Sequence, residues 1–477
     1  MPTSPEILSF MVAGEWRSAG RELEPVFNPA TGDTIAMLPH ATIKDLDDAL
    51  DGAEQGFEVW RKVSAFDRSK VLRGAADILR RGVSEIAARM TLEQGKPLAE
   101  ARVETIVAAD TFDWFAEEGR RAYGRVIPAR YPGQRQITIR QPVGPVAAFA
   151  PWNFPAMGPA RKIAAALAAG CSCIIKPSEE VPMTAIAIAK ALEEAGLPKG
   201  VLSLVFGSPS QISTHLIASP IIRKITFTGS TAVGKELAGL AAQGAKRATM
   251  ELGGHAPVLV FDDVDVDQVA QMAAMGKYRN AGQVCISPTR FYVMEPVLER
   301  FTQAFANVAK KLAVGNGLDE SKQMGPVANP RRLQAMGQLI GDAVSHGAKV
   351  EAGGDRIGNQ GNFWSPTVLS NVNSESNIMN LEPFGPVAVI NPMSGLDDAI
   401  AQANRLPYGL AAYAFTRSNS NIIALGEGVD AGMIGINTLL VSSPEVPFGG
   451  VKESGYGHEG GIEGLDAFLH TKSISEM

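Results

Sequence analysis

The sequence predicts an α/β protein whose sheets are mainly parallel. Short apolar runs alternate along the chain with segments of helical periodicity, and strands that alternate with helices pair in parallel through crossover helices. A second series of the same kind begins near Pro257, which predicts two α/β domains that meet near residues 250–256. A chain of 477 residues is long enough for two or three domains with large buried cores.

Helices are predicted before the first parallel series. Residues 65–120 are predicted to be helical, because apolar residues such as Leu72, Ala75 and Leu79 recur at helical spacing. After Gly124 the alternation of polar and apolar residues in Arg135–Arg140 predicts a two-faced strand.

The two series are then predicted element by element. The first has apolar strands at 145–150, 171–176, 201–206 and 224–228, with helices that include 184–195 and 231–242. The second has strands at 257–261 and 290–294, with helices at 264–277 and 297–312. The acidic run 262–267 is predicted to begin a helix, since carboxylates are stabilised at the positive end of a helix dipole.

Composition excludes several classes of protein. The chain is 45% hydrophobic and 20% charged with a formal net charge of −6, which is typical of a globular protein and unlike a disordered, collagenous or coiled-coil chain. The mild, dispersed acidity argues against a nucleic-acid partner and against a basic membrane-binding surface. The uncharged stretch 141–160 contains five prolines, so no membrane-spanning helix is expected there.

The termini and cysteines indicate a cytoplasmic protein. Residues 1–14 lack the basic flank of a secretion signal. Three cysteines are too few for a disulfide framework, and no pair of histidines stands near a cysteine at metal-ligand spacing, so neither disulfides nor a metal site is predicted.

Two glycine-rich motifs resemble phosphate-binding loops. Gly455–Gly460 spells G-x-G-x-x-G, but too few residues follow it for a βαβ unit, so we predict a flexible glycine-rich loop. Gly229–Lys235 follows a predicted strand and nearly completes a P-loop, yet Glu236 stands where a P-loop has the Ser or Thr that binds magnesium. What remains is a strand, a glycine turn and a helix N-terminus, with the Ser230 hydroxyl nearby, that suits a pyrophosphate as well as ATP.

Three residues point to nucleophilic chemistry. Cys285 lies in the polar, glycine-containing segment 279–287, which predicts an accessible, ionised nucleophile where a lone cysteine is otherwise a small buried hydrophobe. Glu251 stands between apolar neighbours, so it should have a raised pKa and could relay protons or be structural. Asn153 lies on a proline-rich loop after a predicted strand, where an amide could stabilise an oxyanion.

Seven blocks in order across nearly the whole chain resemble the signature of the aldehyde dehydrogenase superfamily. They are Pro151–Pro155, Lys176–Glu179, Phe227–Thr231, Glu251–Gly254, Gly282–Cys285, Glu382–Pro386 and Pro447–Lys452. The resemblance implies oxidation of an aldehyde through a cysteine thiohemiacetal and thioester. Cys285 would be the nucleophile, Glu251 the general base, and Asn153 with the Cys285 backbone N–H the oxyanion hole.

The resemblance also implies cofactor contacts and an architecture. The implied contacts with NAD are Pro151, Trp152, Lys176, Ser178, Glu179, Gly207, Gly229, Ser230, Val233, Leu252, Glu382 and Phe384. A Rossmann-like NAD-binding domain would comprise residues 1–123 and 143–252, and an α/β catalytic domain residues 253–446. Residues 124–142 and 465–477 would form a small β oligomerisation element, which implies a homodimer or homotetramer.

Two departures from the family pattern stand out, at His255 and Ser287. Neither removes a group that the mechanism needs. Glu179 should accept hydrogen bonds from ribose hydroxyls and repel a 2′-phosphate, which favours NAD. Lys176 could pair with that phosphate, so use of NADP stays open.

The substrate is narrowed by a further resemblance, to succinate-semialdehyde and α-ketoglutaric-semialdehyde dehydrogenases. It implies that Arg161, Arg279 and Ser442 meet a substrate carboxylate, a group that arginine binds bidentately. The alternative for the two arginines is structural ion pairing. The sequence does not distinguish a four-carbon from a five-carbon semialdehyde as the substrate. Aromatic or simple aliphatic aldehydes are weaker candidates. The alternative function outside the family is that of a P-loop NTPase.

Overall fold

A computed structural model describes residues 5–477. Residues 1–4, which open both the segment examined for a secretion signal and the predicted NAD-binding domain, lie outside the described residues. Within residues 5–477 no helix is long and apolar enough to cross a membrane.

The strands are numbered in chain order. They are β1 (Glu6–Ile7), β2 (Phe10–Val12), β3 (Glu15–Arg17), β4 (Leu23–Phe27), β5 (Thr34–Pro39), β6 (Arg125–Ile127), β7 (Arg135–Pro142), β8 (Val146–Phe149), β9 (Cys173–Lys176), β10 (Leu202–Leu204), β11 (Lys224–Thr228), β12 (Arg247–Glu251), β13 (Ala256–Val260), β14 (Pro288–Met294), β15 (Lys349–Ala352), β16 (Thr367–Ser370), β17 (Val387–Met393), β18 (Ala411–Phe415), β19 (Met433–Ile436), β20 (Gly455–Tyr456) and β21 (Leu469–Glu476).

The α-helices are numbered in the same way. They are α1 (Ile43–Trp60), α2 (Ala65–Arg81), α3 (Val83–Gln94), α4 (Leu98–Glu118), α5 (Met157–Ala169), α6 (Pro182–Glu194), α7 (Pro209–Ala218), α8 (Thr231–Gln243), α9 (Val266–Tyr278), α10 (Glu295–Lys311), α11 (Pro330–Ser345), α12 (Asn377–Asn380), α13 (Leu396–Asn404), α14 (Asn419–Gly428) and α15 (Gly461–Asp466).

Two large sheets organise the molecule, and the predicted α/β class with parallel sheets is confirmed. The first sheet has the order β20-β12-β11-β8-β9-β10-β2-β3, in which β12 to β10 run parallel. The second has the order β15-β16-β17-β14-β13-β18-β19, in which β16 to β19 run parallel. Helices connect the parallel strands, as βαβ crossovers require. The chain passes from the first sheet to the second between Glu251, the last residue of β12, and Ala256, the first residue of β13.

A third sheet, β21-β7-β6, is antiparallel. Strand β7 contains the predicted two-faced segment Arg135–Arg140, and it pairs with β21 from Arg135–Glu476 to Pro142–Leu469. This sheet lies within the residues assigned from the sequence to oligomerisation. The division of the chain into domains, with the bounds given above, stays a prediction.

The apolar cores follow the sheets. One large cluster packs α1–α8 around the first sheet, with fully buried members such as Phe10, Phe112 and Ile175. Two further clusters cover the two faces of the second sheet, with Phe291 in one and Leu259 in the other. Side chains of parallel strands are buried on both faces, which is why these strands read as continuous apolar runs in the sequence.

Two sequence interpretations need correction. The elements before residue 65, β1–β5 and α1, were not predicted, although the capping box of Thr42 and Asp45 is a recognisable start of α1. The motif Gly455–Gly460 is not a flexible loop, because Gly455–Tyr456 pairs as β20 with β12. Gly455 is required there: its φ is +117°, and a Cβ would overlap the carbonyl oxygen of Met250.

Candidate active site

The predicted functional residues lie at the carboxyl ends of the parallel strands of the first sheet. Asn153 follows β8, Lys176 ends β9, Gly229 follows β11 and Glu251 ends β12. Because these strands are parallel, their carboxyl ends meet at one edge, where open α/β sheets bind ligands. Cys285, in the loop before β14 of the second sheet, lines the same cavity as Asn153.

The loop that carries Cys285 has an uncommon backbone. Three consecutive residues, Asn280, Ala281 and Gly282, have φ of 49°, 52° and 71°. These values lie in the left-handed region, which costs free energy for any residue except glycine. Gly282 is required at its position, since a Cβ there would overlap the carbonyl oxygen of Gly385. Cys285 itself is partly exposed on the cavity wall.

The thiol of Cys285 is not the ionised group that the sequence predicts. Burial, followed by the negative charges of Glu382 and Glu251, raises its pKa to about 12, while the charge of Arg161 acts in the opposite direction. The expectation of an ionised thiol rests on the polar residues next to Cys285 in the sequence, whereas two carboxylates, Glu382 and Glu251, lie near it in the folded structure. At neutral pH Cys285 is therefore mainly a thiol, which would have to lose its proton in order to act as a nucleophile.

Asn153 is a buried amide held from two sides, with 5% of its surface exposed. Its Nδ2 donates to the backbone oxygen of Gln283 at 3.1 Å. Its own backbone oxygen accepts from Lys96 Nζ and from Asn280 Nδ2, both at 2.9 Å. One N–H of the side chain is thus engaged, which leaves the other for an oxyanion in the cavity.

Glu251 is buried, with 1% of its surface exposed. Neither carboxyl oxygen has a hydrogen-bond partner within residues 5–477. Burial raises its pKa well above the ordinary value, and the negative charge of Glu459 adds to this effect. The direction is the one expected for a carboxyl group among apolar neighbours.

A buried ion pair lies close to Glu251 and was missed in the sequence. Lys162 forms an ion pair with Glu459 and donates to Thr228 Oγ1 at 2.7 Å. Glu459 lines the cavity that contains Cys285. Lys162 opens an apolar helical stretch, and a charge in that position needs a buried partner, which is the signal that could have found this pair.

The cavity has a volume of about 410 Å³. It brings together six of the residues predicted from the sequence, which are Pro151, Asn153, Arg161, Arg279, Cys285 and Ser442. Its remaining wall is mostly apolar and includes Val103, Val107, Phe154, Met157, Leu439, Leu440, Val441 and Phe448. Glu251 and the residues implied on the adenosine side do not line it.

The two arginines of the cavity differ in burial. Arg161 is 6% exposed, donates to Ser442 Oγ at 2.7 Å, and lies with Cζ 4.4 Å from the ring centroid of Phe448. Arg279 is exposed, with Cζ 5.7 Å from the ring centroid of Phe154. Neither guanidinium has a carboxylate oxygen within 4.0 Å in residues 5–477, so the alternative of structural ion pairs is not observed.

The implied adenosine side is a compact polar group. Lys176 Nζ lies 2.5 Å from Glu179 Oε1, and that oxygen also accepts from the backbone N–H of Gly207 at 3.1 Å. Ser178 Oγ accepts from the backbone of Glu180. Lys176, Ser178 and Glu179 lie on one segment at the end of β9, and the fold brings Gly207 to it from 28 residues further along the chain.

The glycine turn after β11 leads directly into α8, as predicted. A Cβ on Gly229 would overlap the buried ring of Phe227, so a larger residue would have to displace that ring. Ser230 is exposed and its side chain makes no capping hydrogen bond, which leaves the first N–H groups of α8 free for an anion. Val233 is 43% exposed on the first turn, whereas Leu252 is buried against Gly234.

The P-loop alternative is weakened by the geometry of this turn. Lys235, which would hold the phosphates of a nucleoside triphosphate, is paired with Glu453 at 2.8 Å. Glu236 is exposed and offers a carboxylate where a hydroxyl is required. A pyrophosphate at the N-terminus of α8 needs neither side chain.

The implied nicotinamide side is formed by the loop that precedes β17. Glu382 Oε1 accepts from the backbone N–H of Gly254 at 3.1 Å, and burial raises its pKa to about 7. Phe384 has a φ of +43° and meets the ring of Trp152 edge-on, with centroids 5.4 Å apart. Pro151, next to Trp152, lines the cavity.

Two cationic residues near this loop were not found from the sequence. Lys277 is completely buried and donates to Ser287 Oγ at 3.1 Å, and its pKa is lowered by burial to about 7. Arg332 donates to the backbone oxygen of Pro383 at 2.5 Å, with Cζ 6.0 Å from the ring centroid of Phe384. Both lie on helices of the second sheet, α9 and α11, and only the fold brings them to this loop.

The structure offers no cluster of three or more metal-ligating side chains in the part of the chain that it describes. The three cysteines are unpaired, and Cys171 and Cys173 are buried. Burial raises the pKa of both thiols, and what separates them from Cys285 is that neither lines the cavity.

Comparison with known proteins agrees with the geometry. The model of the aldehyde dehydrogenase family matches residues 16–474. The chain is 48% identical over 469 residues to a putative 4-(hydroxymethyl)benzenesulfonate dehydrogenase of Comamonas testosteroni, covering 98% of this chain and 97% of that one. It is 40% identical over 463 residues to the NADP(+) succinate-semialdehyde dehydrogenase of Escherichia coli, covering 97% and 96%.

Solved structures give the same result. The chain superposes on the crystal structure of a succinate-semialdehyde dehydrogenase from Burkholderia pseudomallei with a TM-score of 0.97. The sequences are 39% identical, and the match covers 98% of each chain.

Proposed function

The chain belongs to the aldehyde dehydrogenase family, and from this we propose that it oxidises an aldehyde with an anionic tail, such as succinate semialdehyde, to the carboxylate. The family uses NAD(P), and the enzyme is an NAD(P)-dependent aldehyde dehydrogenase. One observation carries the proposal about the tail: the buried Arg161, bonded to Ser442, shares a cavity with Cys285. An unpaired buried guanidinium is a strong site for a carboxylate or sulfonate.

Each reactive side chain has a defined task in this proposal. Cys285 Sγ attacks the aldehyde carbon while its proton passes to solvent in the cavity, and the new oxyanion accepts from Asn153 Nδ2 and from the backbone N–H of Cys285. NAD(P), held by the residues around the cleft, would supply the acceptor for the hydride that the oxyanion expels. Glu251 then takes a proton from the water that cleaves the thioester, a task for which a raised pKa makes its carboxylate a stronger base.

The residues around the cleft fit a dinucleotide. Lys176 and Glu179 would hold the ribose of the adenosine, and Gly207 would lie beside them. The N-terminus of α8, with Gly229, Ser230 and Val233, would meet the pyrophosphate. Ser178 and Leu252 would contact the adenosine side, and Pro151, Trp152, Glu382 and Phe384 the nicotinamide side.

We propose NAD as the preferred cofactor, with NADP also accepted. Glu179 would accept from ribose hydroxyls and repel a 2′-phosphate, although its pairing with Lys176 reduces that repulsion. Glu179→Ala should therefore raise kcat/KM for NADP relative to that for NAD. An unchanged ratio would contradict this role, and Glu180→Ala, one residue further on, is the matched control.

A second candidate substrate is a ring-bearing anion, such as an aromatic aldehyde with a sulfonate opposite the aldehyde. Two observations favour it. The cavity volume of about 410 Å³ lies in the range of sites that enclose drug-sized ligands, so it has room for an aromatic ring. Phe154 and Phe448 face the cavity beside the two arginines, where they could flank an aromatic ring. A relative named for a benzenesulfonate supports the same choice.

Initial rates of NADH formation separate these candidates. Succinate semialdehyde, α-ketoglutaric semialdehyde, 4-formylbenzenesulfonate, butanal and benzaldehyde should be compared with the parent and with Cys285→Ser. We expect activity on the anionic aldehydes to exceed that on the uncharged ones and to vanish in Cys285→Ser. Equal rates with butanal would contradict the proposal about the tail, and ATP turnover without aldehyde oxidation would support the P-loop alternative.

We also propose that the protein forms a homodimer or a homotetramer and that it is located in the cytoplasm. The antiparallel sheet β21-β7-β6 leaves Val126 and Ile474 exposed, and Tyr123 just before β6 is exposed as well, which supports an assembly through this sheet. The unpaired cysteines support a reducing compartment. Sedimentation of the full chain would establish the number of subunits.

A further inference from the structure

Asn280 is a buried residue whose side chain joins two loops of the site. It is 1% exposed, and its φ of 49° lies in the left-handed region. Its Nδ2 donates to the backbone oxygen of Asn153 at 2.9 Å and to the backbone oxygen of Gln283 at 3.3 Å. One amide group therefore binds both the loop of the oxyanion donor and the loop of the nucleophile.

The orientation of this amide follows from its partners. Two carbonyl oxygens can only accept, so the NH2 group has to face them. The oxygen, Oδ1, accepts from Gln94 Nε2 at 2.9 Å, and the backbone N–H of Asn280 donates to Glu100 Oε2 at 2.9 Å. Residues at the end of α3 and the start of α4 thus hold Asn280 from behind.

The bonds of Asn280 close a ring around the oxyanion donor. Asn153 Nδ2 donates to Gln283 O, and Asn280 Nδ2 donates to the same oxygen and to Asn153 O. Lys96 Nζ also donates to Asn153 O, and Lys96 is paired with the buried Glu104. Gln283 stands two residues before Cys285, so the ring determines how far the donor amide lies from the nucleophile.

We propose that Asn280 is a positioning residue, which sets the Asn153 amide at the distance from Cys285 that the oxyanion requires. The inference rests on the proposed function, because it takes Asn153 as the oxyanion donor and Cys285 as the nucleophile. Asn280 does not line the cavity that contains Cys285, so its side chain would not touch the substrate. Its effect should appear in the rate of the chemical step and leave ground-state binding unchanged.

Two variants test the proposal. Asn280→Gly keeps the left-handed backbone, which glycine adopts freely, and removes the amide. Asn280→Asp keeps the shape but replaces the donor by a carboxyl group between two carbonyl oxygens, where it donates only while it is protonated. Asn371→Gly is the matched control, because Asn371 also has a left-handed φ, of 52°, and is exposed away from the site.

The expected results differ between the variants. The single-turnover rate of NADH formation in Asn280→Gly should fall by about 100-fold, the cost of misplacing a catalytic group by about 1 Å, with KM for aldehyde and Kd for NADH unchanged. Relative to the parent, Asn280→Asp should recover activity as the pH falls and lose it as the pH rises. Asn371→Gly should match the parent.

Three outcomes would overturn the proposal. The first is a single-turnover rate in Asn280→Gly equal to that of the parent, and the second is a change in Asn280→Gly that is confined to KM. The third is an activity of Asn280→Asp equal to that of the parent at every pH, which would indicate that the Asn280 side chain only fills space. A parent that oxidises no aldehyde would instead refute the proposed function. In that case the alkylation rate of Cys285 still tests the ring of hydrogen bonds. Without the Asn280 amide the loop of Cys285 is held less firmly, so alkylation should be faster in Asn280→Gly, and an equal rate would overturn the proposal.

Discussion

Replacing Arg161 with methionine should lower the preference of the enzyme for anionic aldehydes. The side chain is 6% exposed, and within residues 5–477 no carboxylate oxygen lies within 4.0 Å of its guanidinium. Its charge is therefore available to a substrate anion. Methionine preserves much of the length of the side chain and removes only the charge and the donors, including the bond to Ser442.

The magnitude follows from burial. A hydrogen bond to a charged group contributes about 1.5–3 kcal/mol, which corresponds to roughly 10-fold to 150-fold in kcat/KM. Arg279 is exposed, and an ion pair in that setting contributes about 0.2–1 kcal/mol, or up to about fivefold. The structure thus separates two arginines that the sequence treats alike.

The assay compares kcat/KM for succinate semialdehyde with that for butanal, which has the same carbon chain without the carboxylate. The ratio of the two values is needed because Arg161 also lowers the pKa of Cys285, so its loss affects every aldehyde. The ratio should fall further in Arg161→Met than in Arg279→Met. An equal loss on both substrates, or a larger effect of Arg279→Met, would refute the reasoning.

Three further predictions concern ionisation and packing. Without cofactor, alkylation of Cys285 by iodoacetamide should still accelerate at pH 9.5, because the pKa is about 12; a plateau near pH 8 would contradict the burial argument. Burial lowers the pKa of His255 well below its ordinary value, so the unfolded chain takes up a proton that the native state does not, and stability should fall below about pH 6.5. The melting temperature of His255→Asn should fall less than that of the parent between pH 6.5 and 5, and an equal fall would exclude His255 as the cause. Gly455→Ala should destabilise by about 1–3 kcal/mol and reduce activity by displacing β12 beside Glu251, whereas Gly239→Ala, with open space around it, is the control in thermal unfolding.

The local pattern of apolar and polar residues was sufficient to predict most strands and helices of the two parallel sheets. Runs such as Ala256–Val260 are apolar throughout because both faces of a parallel strand are buried. The helix that follows Lys224–Thr228 begins after a glycine whose Cβ would overlap the Phe227 ring. The N-terminal strands were not predicted, because short strands such as Phe10–Val12 carry too few residues for a periodic signal.

Resemblance supplied the candidate site, but not its network of contacts. The cavity brings Asn153, Arg161 and Cys285 together although they lie on different segments. Glu459 and Asn280 were missed because each looks like an ordinary polar residue of a loop, and Lys162 because the sequence does not show which residue is its partner. Their partners are more than 100 residues away, as the pairs Lys162–Glu459 and Asn280–Asn153 show.

The amino-acid order alone therefore determined the layered α/β class, the glycine turn that opens α8, and the set of reactive residue types. Those properties depend on neighbours along the chain, through hydrophobic periodicity and backbone sterics. Tertiary structure alone decided the protonation of Cys285, the difference between Arg161 and Arg279, and the ring around Asn153. These depend on burial and on charges from distant segments, and the electrostatic free energy of a group changes with its distance from each charge and with the water around it.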